Sequence, residues 1–284
     1  MIRIGIFGAE NSHAMAFSRI FNGGDPRYAD LQVVAIGGEE EEACRAVMRE
    51  CGVEMYAARP EDMLGHVDAV MITSRDGALH AKYAAPFVDR GMPVFVDKPF
   101  TRDVAQAEAL VALAEEKGAR IMGGSSVKLV EGAQRLSAAA KDKANGRRIG
   151  GSLWAPVSMH NAYGDFWFYA AHLVELCLKI FGMPQSVQAF RSGDDVTCIA
   201  RYADCDVALH FTEGAYHYGG TVLMEKSALT MPIDISECYA LEAEQYARLV
   251  RTGEMPETGE QLIEPVRVMA AIVRSLESGA MERV

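Results

Sequence analysis

Residues 1–123 alternate short apolar runs with longer amphipathic runs, and this alternation restricts the fold more than any other feature of the sequence. Short apolar runs bounded by turn residues predict buried strands, and amphipathic runs with helical spacing predict helices. The predicted strands are 2–7, 32–36, 69–72, 93–96 and 120–122, and the predicted helices are 12–21, 40–50, 78–90 and 104–117. Because parallel strands need crossovers of this kind, these residues predict a doubly wound parallel sheet wrapped by helices.

The pattern changes after residue 123, which predicts a second domain over residues 124–284. The predicted elements of this domain are helices at 128–143, 237–252 and 259–278, a turn rich in Gly and Arg at 145–151, an aromatic segment at 162–172 that leads into a further helix, and strands at 187–190, 196–202, 207–212 and 220–225. The strands are separated by short turns and by no helix long enough to be a crossover. This favours an α+β domain with an open antiparallel sheet.

Composition and charge exclude several classes of partner. The 28 Lys and Arg against 39 Asp and Glu give a formal charge of 28 minus 39, or -11, and no basic patch interrupts it, which argues against nucleic acid. The six cysteines form no C-x-x-C pair, so neither a zinc site nor a disulfide framework is predicted. No signal peptide and no apolar stretch of about 18 residues is found, so we expect a cytoplasmic protein with no membrane partner.

The turn after the first predicted strand carries an incomplete dinucleotide-binding pattern. Where G-x-G-x-x-G would stand, the chain has Gly8, and then Glu10 and His13 in place of the second and third glycines. A carboxylate at the second position would repel a diphosphate unless its side chain turned away into solvent. The residues predicted to bind a dinucleotide at this turn are Gly8, Ala9, Asn11 and Ser12. The alternative is an ordinary strand-to-helix turn with Ser12 as N-cap, whose free N–H groups could still hold an anion.

Two further loops end at the same predicted edge of the sheet. Glu39 follows the second strand, where an acidic residue normally binds the ribose hydroxyls. The first basic residue after this strand is Arg45, so no Arg or Lys next to Glu39 could bind a 2′-phosphate. The charges therefore favour NAD over NADP as the cofactor. Thr73 and Ser74 follow the next strand, so their hydroxyls and amides are predicted at the cofactor edge. His80 enters the following helix and is predicted to be a scaffold for that edge.

The tripeptide Asp97-Lys98-Pro99 places one lysine at the carboxyl end of a buried strand, where open α/β sheets bind ligands. Because the residue before proline is held extended, the Lys98 ammonium is predicted to project over the sheet edge in a fixed direction. We therefore predict a functional Lys98 with Asp97 beside it at the cofactor. The alternative is a surface lysine at a strand end.

The stretch from Asp68 to Pro99 resembles the D-x-V-x-I-x-T/S…H…G-x-x-V-x-x-E-K-P block of the Gfo/Idh/MocA family of oxidoreductases, and residues 244–275 resemble its closing helices. The resemblance covers nearly the whole chain. It implies an N-terminal Rossmann domain, a C-terminal α/β domain with an open antiparallel sheet, and a nicotinamide cofactor. It also implies hydride transfer at a carbinol carbon of a sugar, cyclitol or related polyol, and a homodimer or homotetramer formed through the open sheet.

The remaining catalytic pattern of that family, D-x-x-x-H-x-x-D, aligns with Phe168, His172 and Glu175. His172 is kept, Glu175 keeps the charge of one acid, and Phe168 replaces the other acid with a ring that cannot transfer a proton. Helical spacing puts the three positions on one face. The residues predicted to bind the substrate are Tyr163, Asp165, Trp167, Tyr169 and Glu175. The alternative is an aromatic core helix with a hydrogen-bonded histidine; a metal site is not predicted, because no third ligand can be named.

In the predicted mechanism, NAD lies across the sheet edge, Lys98 binds or deprotonates the substrate hydroxyl as hydride leaves its carbon, and His172 shares the proton or orients the hydroxyl. Two alternatives stay open. The changes at Glu10 and Phe168 fit a catalytically silent ligand-binding or sensor protein that retains the pocket, with or without the cofactor. The same residues also fit an NAD-assisted lyase or glycosidase, in which hydride leaves and returns.

Overall fold

The structure, a computed structural model, describes residues 1–284 and divides into two compact units. The first unit comprises Met1–Gly124 and Tyr239–Ile263, and the second comprises Ser125–Cys238 and Glu264–Val284. The structure therefore differs from the predicted division at residue 123. The chain leaves the first unit next to that position, but it returns to the first unit for one later segment.

The chain forms 13 strands and eight α-helices, and none of the helices combines the length and the apolar character that crossing a membrane requires. The strands are β1 (Ile2–Phe7), β2 (Leu31–Gly37), β3 (Met55–Ala57), β4 (Ala69–Ile72), β5 (Val94–Asp97), β6 (Ile121–Gly124), β7 (Arg148–Val157), β8 (Ser186–Ser192), β9 (Asp195–Arg201), β10 (Asp206–Glu213), β11 (Gly219–Met224), β12 (Ala228–Pro232) and β13 (Glu282–Arg283). The helices are α1 (Ser12–Asn22), α2 (Glu41–Cys51), α3 (His80–Val88), α4 (Val104–Lys117), α5 (Glu131–Lys141), α6 (Phe166–Phe181), α7 (Cys238–Thr252) and α8 (Gly259–Ser278).

Six parallel strands form the sheet of the first unit, in the order β3-β2-β1-β4-β5-β6. The order reverses beside β1, which pairs with β2 on one side and with β4 on the other. The predicted doubly wound parallel sheet is confirmed, and five of its strands coincide with the predicted apolar runs. The sixth, β3, has three residues, too few for an apolar period to be recognised. The loops beside β1 are where such a sheet binds ligands.

Helix α7 is distant from the first sheet in sequence but belongs to its core. The side chain of Tyr246 is fully buried, and its ring lies 6.1 Å from that of Phe21 and 6.3 Å from that of Phe95. Ala243 and Ala247 are buried in the same cluster. These positions follow helical spacing, so one face of α7 is apolar and packs on the sheet. Burial of that face explains why this segment joins the first unit.

The second unit contains an open sheet of seven strands in the order β12-β11-β7-β10-β9-β8-β13. Neighbouring strands are antiparallel except for β7 and β10, which run parallel. The open sheet of an α/β domain is confirmed, but the prediction that it is wholly antiparallel is wrong at this pair. Helix α6 and strands β8 and β9 separate β7 from β10 in the chain, and a connection of that length permits parallel pairing.

Strand β7 begins inside the segment that the sequence predicts to be a turn. Its glycines reflect crowding: a β-carbon on Gly151 would lie 2.4 Å from Cζ of Phe181, and one on Gly150 would lie 2.8 Å from the carbonyl oxygen of Asp206. Glycine inside a strand often marks such a close approach. β7 was not among the predicted strands. Its first residues were assigned to a turn because glycines that permit close packing resemble turn residues in the sequence.

The strands of the second sheet alternate between a buried face and a partly exposed one. Val196 and Cys198 of β9 and Leu209 of β10 are buried, on the face that meets α5 and α6. On the other face, Ile199 of β9 is half-buried and Phe190 of β8 is 52% exposed. Apolar side chains are therefore partly exposed on only one face of this sheet.

Candidate functional site

The turn between β1 and α1 is tight and requires glycine at one position. Gly8 has φ +120°, and a β-carbon there would lie 2.0 Å from the backbone nitrogen of Ser74. The N–H groups of Gly8 and Ala9 both donate to the carbonyl of Gly37, at 2.8 and 3.1 Å. The turn is thus held between the ends of β2 and β4.

Asn11, and not Ser12, is the N-cap of α1. Its backbone is extended, with φ −98° and ψ 143°, and its Oδ1 accepts the N–H of His13 at 3.3 Å. Its Nδ2 donates to Oδ2 of Asp97 at 3.1 Å. The expectation that Ser12 caps this helix is wrong, because Asn11 has the non-helical backbone that a cap requires. The side chain of Asn11 also fastens the turn to the end of β5.

His13 stands at the third glycine position of the dinucleotide pattern and pairs with Asp97. Nδ1 of His13 lies 2.5 Å from Oδ2 of Asp97, and the N–H of Lys98 donates to Oδ1 at 2.7 Å. Burial by itself raises the pKa of Asp97, but the charges of His13 and Lys98 and the contact with His13 outweigh it and lower that pKa. Asp97 is therefore an anchored carboxylate whose oxygens are used inside the first unit.

Lys98 lies at the carboxyl end of β5, as predicted, but it is buried, with 4% of its surface exposed. The Lys98–Pro99 peptide bond is cis. The fully buried ring of His80 joins this segment to the loop after β4, since Nδ1 lies 2.8 Å from the carbonyl oxygen of Pro99 and Nε2 lies 2.8 Å from that of Ser74. His80 thus holds the positions of its two neighbours, which is the placement expected of a scaffold residue.

The two hydroxyls predicted at the end of β4 differ in their partners. Oγ1 of Thr73 donates to the carbonyl of Gly8 at 3.1 Å and so braces the first turn. Oγ of Ser74 is buried and has no hydrogen-bond partner. A buried hydroxyl without a partner is costly, and a ligand oxygen would relieve that cost. Of the two, Ser74 is the one whose hydroxyl suits a bound cofactor.

Glu39 lies in a cleft of about 380 Å³ at the end of β2. Its Oε1 accepts the hydroxyl hydrogen of Tyr83 at 2.9 Å, and the Tyr83 ring packs edge-on against Phe7 at 4.8 Å. Arg59 and Lys82 line the same cleft. The prediction that no basic residue lies near Glu39 is therefore wrong, because Arg59 lines this cleft from the segment after β3 and Lys82 lines it from α3. Spacing along the sequence could not show this.

The sequence predicts that the Glu10 side chain must turn into solvent if a diphosphate is to bind beside it. In the structure the side chain does not turn into solvent. Its Oε1 accepts the N–H of Arg75 at 3.3 Å, and its Oε2 is buried without a partner. A β-carbon on Gly38 would lie 2.8 Å from Oε2, so the carboxyl group is folded against that glycine. Burial, helped by the charges of Glu39 and Glu40, raises the pKa of Glu10.

The first unit therefore fits a dinucleotide on the observations just given. The tight turn at Gly8 leads into the N-terminus of α1, a buried hydroxyl at the end of β4 lacks a partner, and an acidic side chain lies just after β2. A helix N-terminus suits a diphosphate, and an acidic residue suits ribose hydroxyls.

The second unit contains a buried polar cluster around α6. His172 and Glu175, one helical turn apart, both face the segment after β6. Nδ1 of His172 lies 2.7 Å from Oγ of Ser125. Oε2 of Glu175 accepts two hydrogen bonds, one from the N–H of Ser125 at 2.8 Å and one from Nζ of Lys128 at 2.9 Å. The sequence predicted His172 and Glu175 but not Ser125 or Lys128. A buried Glu needs a cationic partner, and that requirement is the signal that could have identified the lysine.

Aromatic side chains surround His172 within the second unit. Its ring lies 5.3 Å from that of Tyr169 and 6.1 Å from that of Tyr218, both edge-on. The hydroxyl of Tyr216 donates to that of Tyr169 at 3.1 Å. Phe168, in place of the acid, packs 5.2 Å from Tyr169. The sequence predicted Tyr169 but gave no indication of the two tyrosines near β11.

The other residues predicted to bind substrate lie at the start of α6. Tyr163 packs its ring 5.2 Å from that of Phe168, and Trp167 is half-buried. Asp165 has a positive φ of 50°, and its Oδ1 accepts the N–H of Asn161 at 3.1 Å. The carboxylate of Asp165 thus stabilises the loop that precedes the helix, whereas Tyr163 and Trp167 supply apolar surface of the kind that suits a sugar face.

Comparisons with known proteins agree with this geometry. Residues 2–125 match the Gfo/Idh/MocA family, described as an oxidoreductase family with an NAD-binding Rossmann fold. The chain is 25% identical over 300 residues to D-xylose 1-dehydrogenase (NADP(+)) 2 of Haloferax volcanii, which covers 89% of this chain and 92% of that protein.

Two solved structures show how far the fold is shared. Myo-inositol 2-dehydrogenase from Lactobacillus plantarum superposes with a TM-score of 0.87 at 14% identity, over 100% of this chain and 99% of that one. Scyllo-inositol dehydrogenase from Lactobacillus casei, with bound NAD(H) and scyllo-inositol, gives a TM-score of 0.86 at 14% identity and the same coverage. At these identities, the likeness establishes the fold of both units.

Proposed function

We propose that the protein, whose residues 2–125 match the Gfo/Idh/MocA oxidoreductases, is a nicotinamide-dependent dehydrogenase acting on a carbinol carbon of a sugar, cyclitol or related polyol. The observation that carries the proposal is Lys98, a buried lysine at the carboxyl end of β5. That edge is where open α/β sheets bind ligands and where their catalytic groups stand. Buried lysines are uncommon unless they are paired or functional.

The first unit would hold the cofactor at the edge of its sheet beside β1. The N-terminus of α1 suits the diphosphate, Glu39 suits ribose hydroxyls, and the unpartnered hydroxyl of Ser74 suits a further cofactor oxygen. The bound nicotinamide would accept the hydride. Lys98 would bind the substrate hydroxyl and take its proton as the carbon–hydrogen bond breaks. His172, in the second unit, would make a hydrogen bond to a substrate oxygen.

The activity is tested by incubating the purified protein with NAD or NADP and a panel of inositols and aldoses, and following the absorbance of the reduced nicotinamide. We expect turnover with at least one polyol. Cleavage or dehydration of a substrate without net reduction of the cofactor would support a lyase or glycosidase instead. If neither NADH nor NADPH binds, both enzymatic functions are contradicted and a silent ligand-binding protein is favoured.

NAD is the proposed cofactor because Glu39 is fixed at the ribose end by Tyr83. A carboxylate there binds the ribose 2′-hydroxyl and repels a 2′-phosphate, while Arg59 and Lys82 in the same cleft act in the opposite direction. Arg59 is already engaged, since its guanidinium donates to Oδ1 of Asp62 at 2.8 Å. The fixed carboxylate therefore decides the preference.

Fluorescence titrations with NADH and NADPH check this cofactor preference. We expect the wild type to bind NADH more tightly, and Glu39→Ala to lose roughly tenfold in NADH affinity, about 1.4 kcal/mol, while its NADPH affinity rises. Glu61→Ala is the matched control, because Glu61 lines the same cleft on the loop after β3. Tighter binding of NADPH by the wild type would contradict the preference.

The protein is also proposed to form a homodimer or homotetramer through the partly exposed face of the second sheet. Ile199 and Phe190 give this face an apolar character that pairing would cover.

A cytoplasmic location is proposed as well, in keeping with six unpaired cysteines.

Light scattering measures this association directly. At micromolar concentration we expect a mass at least twice the 30.9 kDa of one chain. Ile199→Lys should shift the protein toward the single-chain mass, because burying an unpaired charge in such an interface costs free energy. Glu254→Lys, at an exposed position after α7, serves as the control. A wild type with the mass of one chain would contradict the proposal.

A further inference from the structure

The His172 ring meets a buried hydroxyl inside the second unit, that of Ser125, whose Oγ lies 2.7 Å from Nδ1 of His172. Phe168, one helical turn before His172, has a side chain that cannot accept a hydrogen bond from Nδ1. We propose that Ser125 is a positioning residue that fixes His172 as the neutral tautomer with its proton on Nε2. Only the kinetic consequence of this assignment rests on the proposed dehydrogenase function.

The hydrogen bonds of Ser125 determine the tautomer. Its Oγ accepts the N–H of Val127 at 3.2 Å, and its own N–H donates to Oε2 of Glu175 at 2.8 Å. Ser125 is fully buried, so its hydroxyl hydrogen needs an acceptor within the protein, and Nδ1 of His172 is at hydrogen-bond distance. If Nδ1 accepts that hydrogen, a neutral imidazole carries its proton on Nε2. The opposite tautomer would leave a buried hydroxyl hydrogen without an acceptor.

Glu175 and Lys128 hold the serine in place. Oε2 of Glu175 receives both the N–H of Ser125 and a hydrogen of Nζ of Lys128, the latter at 2.9 Å, and both side chains are buried. A buried carboxylate of this kind is retained only when it is paired and hydrogen-bonded. Glu175 therefore supports the backbone of Ser125, which is a different role from the substrate contact predicted from the sequence.

A histidine held in this way is a hydrogen-bond donor at Nε2. The lone pair of Nδ1 is occupied, and a second proton there would displace the hydroxyl hydrogen of Ser125. His172 is then suited to orient a substrate oxygen by donating to it from Nε2, and it is not suited to accept a proton there.

Nitrogen-15 NMR of histidine-labelled protein reads the tautomer without cofactor or substrate. The His172 signals are identified by their absence in His172→Gln. In the wild type we expect an unprotonated, hydrogen-bonded Nδ1 and a protonated Nε2, and in Ser125→Ala we expect averaged signals of two tautomers. Ser125→Thr keeps the hydroxyl and should restore the wild-type signals. A protonated Nδ1 in the wild type, or an unchanged His172 spectrum in Ser125→Ala, would overturn the proposal.

Kinetics test the positioning role separately. Ser125→Ala is expected to lower kcat roughly 10- to 100-fold with the KM for the cofactor unchanged, because a misaligned donor fails to orient the reacting oxygen. Ser125→Thr should recover most of this loss. Ser137→Ala is the matched control, since Ser137 is buried in α5 and its Oγ donates to the carbonyl of Lys179 at 2.8 Å.

Equal losses of kcat in Ser125→Ala and Ser137→Ala would overturn the positioning role, because general loosening of the second unit would then account for both. The NMR result and the polyol assay can also disagree. The predicted tautomer in a protein that binds no nicotinamide nucleotide would support the assignment of Ser125 while contradicting the dehydrogenase function. The two proposals therefore fail independently.

Discussion

Lys98→Met is expected to lower kcat by roughly a hundred- to ten-thousand-fold, the range that general acid–base groups contribute. Lys98 is buried at the end of β5, and its backbone N–H is fixed to Asp97 at 2.7 Å, so a side chain at this position has a defined origin and direction. Methionine keeps an unbranched, flexible chain that fills the same space. It can neither bind an alkoxide nor accept a proton, so the chemistry is lost while the packing is largely kept.

The measurement is steady-state turnover, with NADH fluorescence and thermal melting to show that cofactor binding and folding persist. Lys98→Arg adds a distinction, because a guanidinium stays protonated and can bind oxygen without removing a proton. We expect the arginine variant to keep a KM near that of the wild type and to lose kcat. Lys141→Met, which changes an exposed lysine of α5, is the control. Wild-type kcat in Lys98→Met would remove Lys98 from the mechanism.

Asp97→Ala is expected to destabilise the protein by about 3–5 kcal/mol, the usual cost of removing one partner from a buried charged pair. The change would leave Nδ1 of His13, Nδ2 of Asn11 and the N–H of Lys98 without their common acceptor. All of these groups lie where the glycine turn meets the end of β5, so the loss would loosen both loops together. The free energy of unfolding from urea titrations gives the size of the effect.

The stability contributed by Asp97 should depend on pH in a defined direction. The pKa of Asp97 is lowered in the folded protein, so its contribution is fully present above the ordinary aspartate pKa of 3.8 and is lost as pH falls through the lowered value. The difference in unfolding free energy between wild type and Asp97→Ala should therefore be constant near neutrality and shrink in acid. Asp30→Ala breaks an exposed pair with Arg251 and should cost less than about 1 kcal/mol. Equal losses in both variants would contradict the anchoring role of Asp97.

The sequence predicts those parts of the fold that depend on local pattern. The prediction of a parallel first sheet is confirmed, since its longer strands are short apolar runs and helices connect most of them. Predictions that depended on long-range pairing were less accurate. The parallel contact of β7 with β10 was missed, since glycines at Gly150 and Gly151 that allow close packing resemble those of a turn.

The candidate site shows the same limit at the level of single residues. The family block located Lys98 and the aligned helix located His172, because those residues carry a recognisable spacing. Ser125, Arg59 and Lys82 carry no spacing signal, and they reach their neighbours only after the chain has folded. The pairing of His13 with Asp97 could not be predicted either, since the dinucleotide pattern treats His13 as a missing glycine and Asp97 lies 84 residues away in the sequence.

Helix α7 has a consequence for how the protein is synthesised. The first sheet is complete in the chain by Gly124, but Tyr246 and its neighbours on α7 fill the core beside Phe21 and Phe95. On the ribosome, the sheet emerges more than a hundred residues before the helix that covers this part of its core. The aromatic side chains of the nascent sheet therefore stay uncovered while residues 125–238 are translated, and the core of the first unit is completed only after α7 has been synthesised.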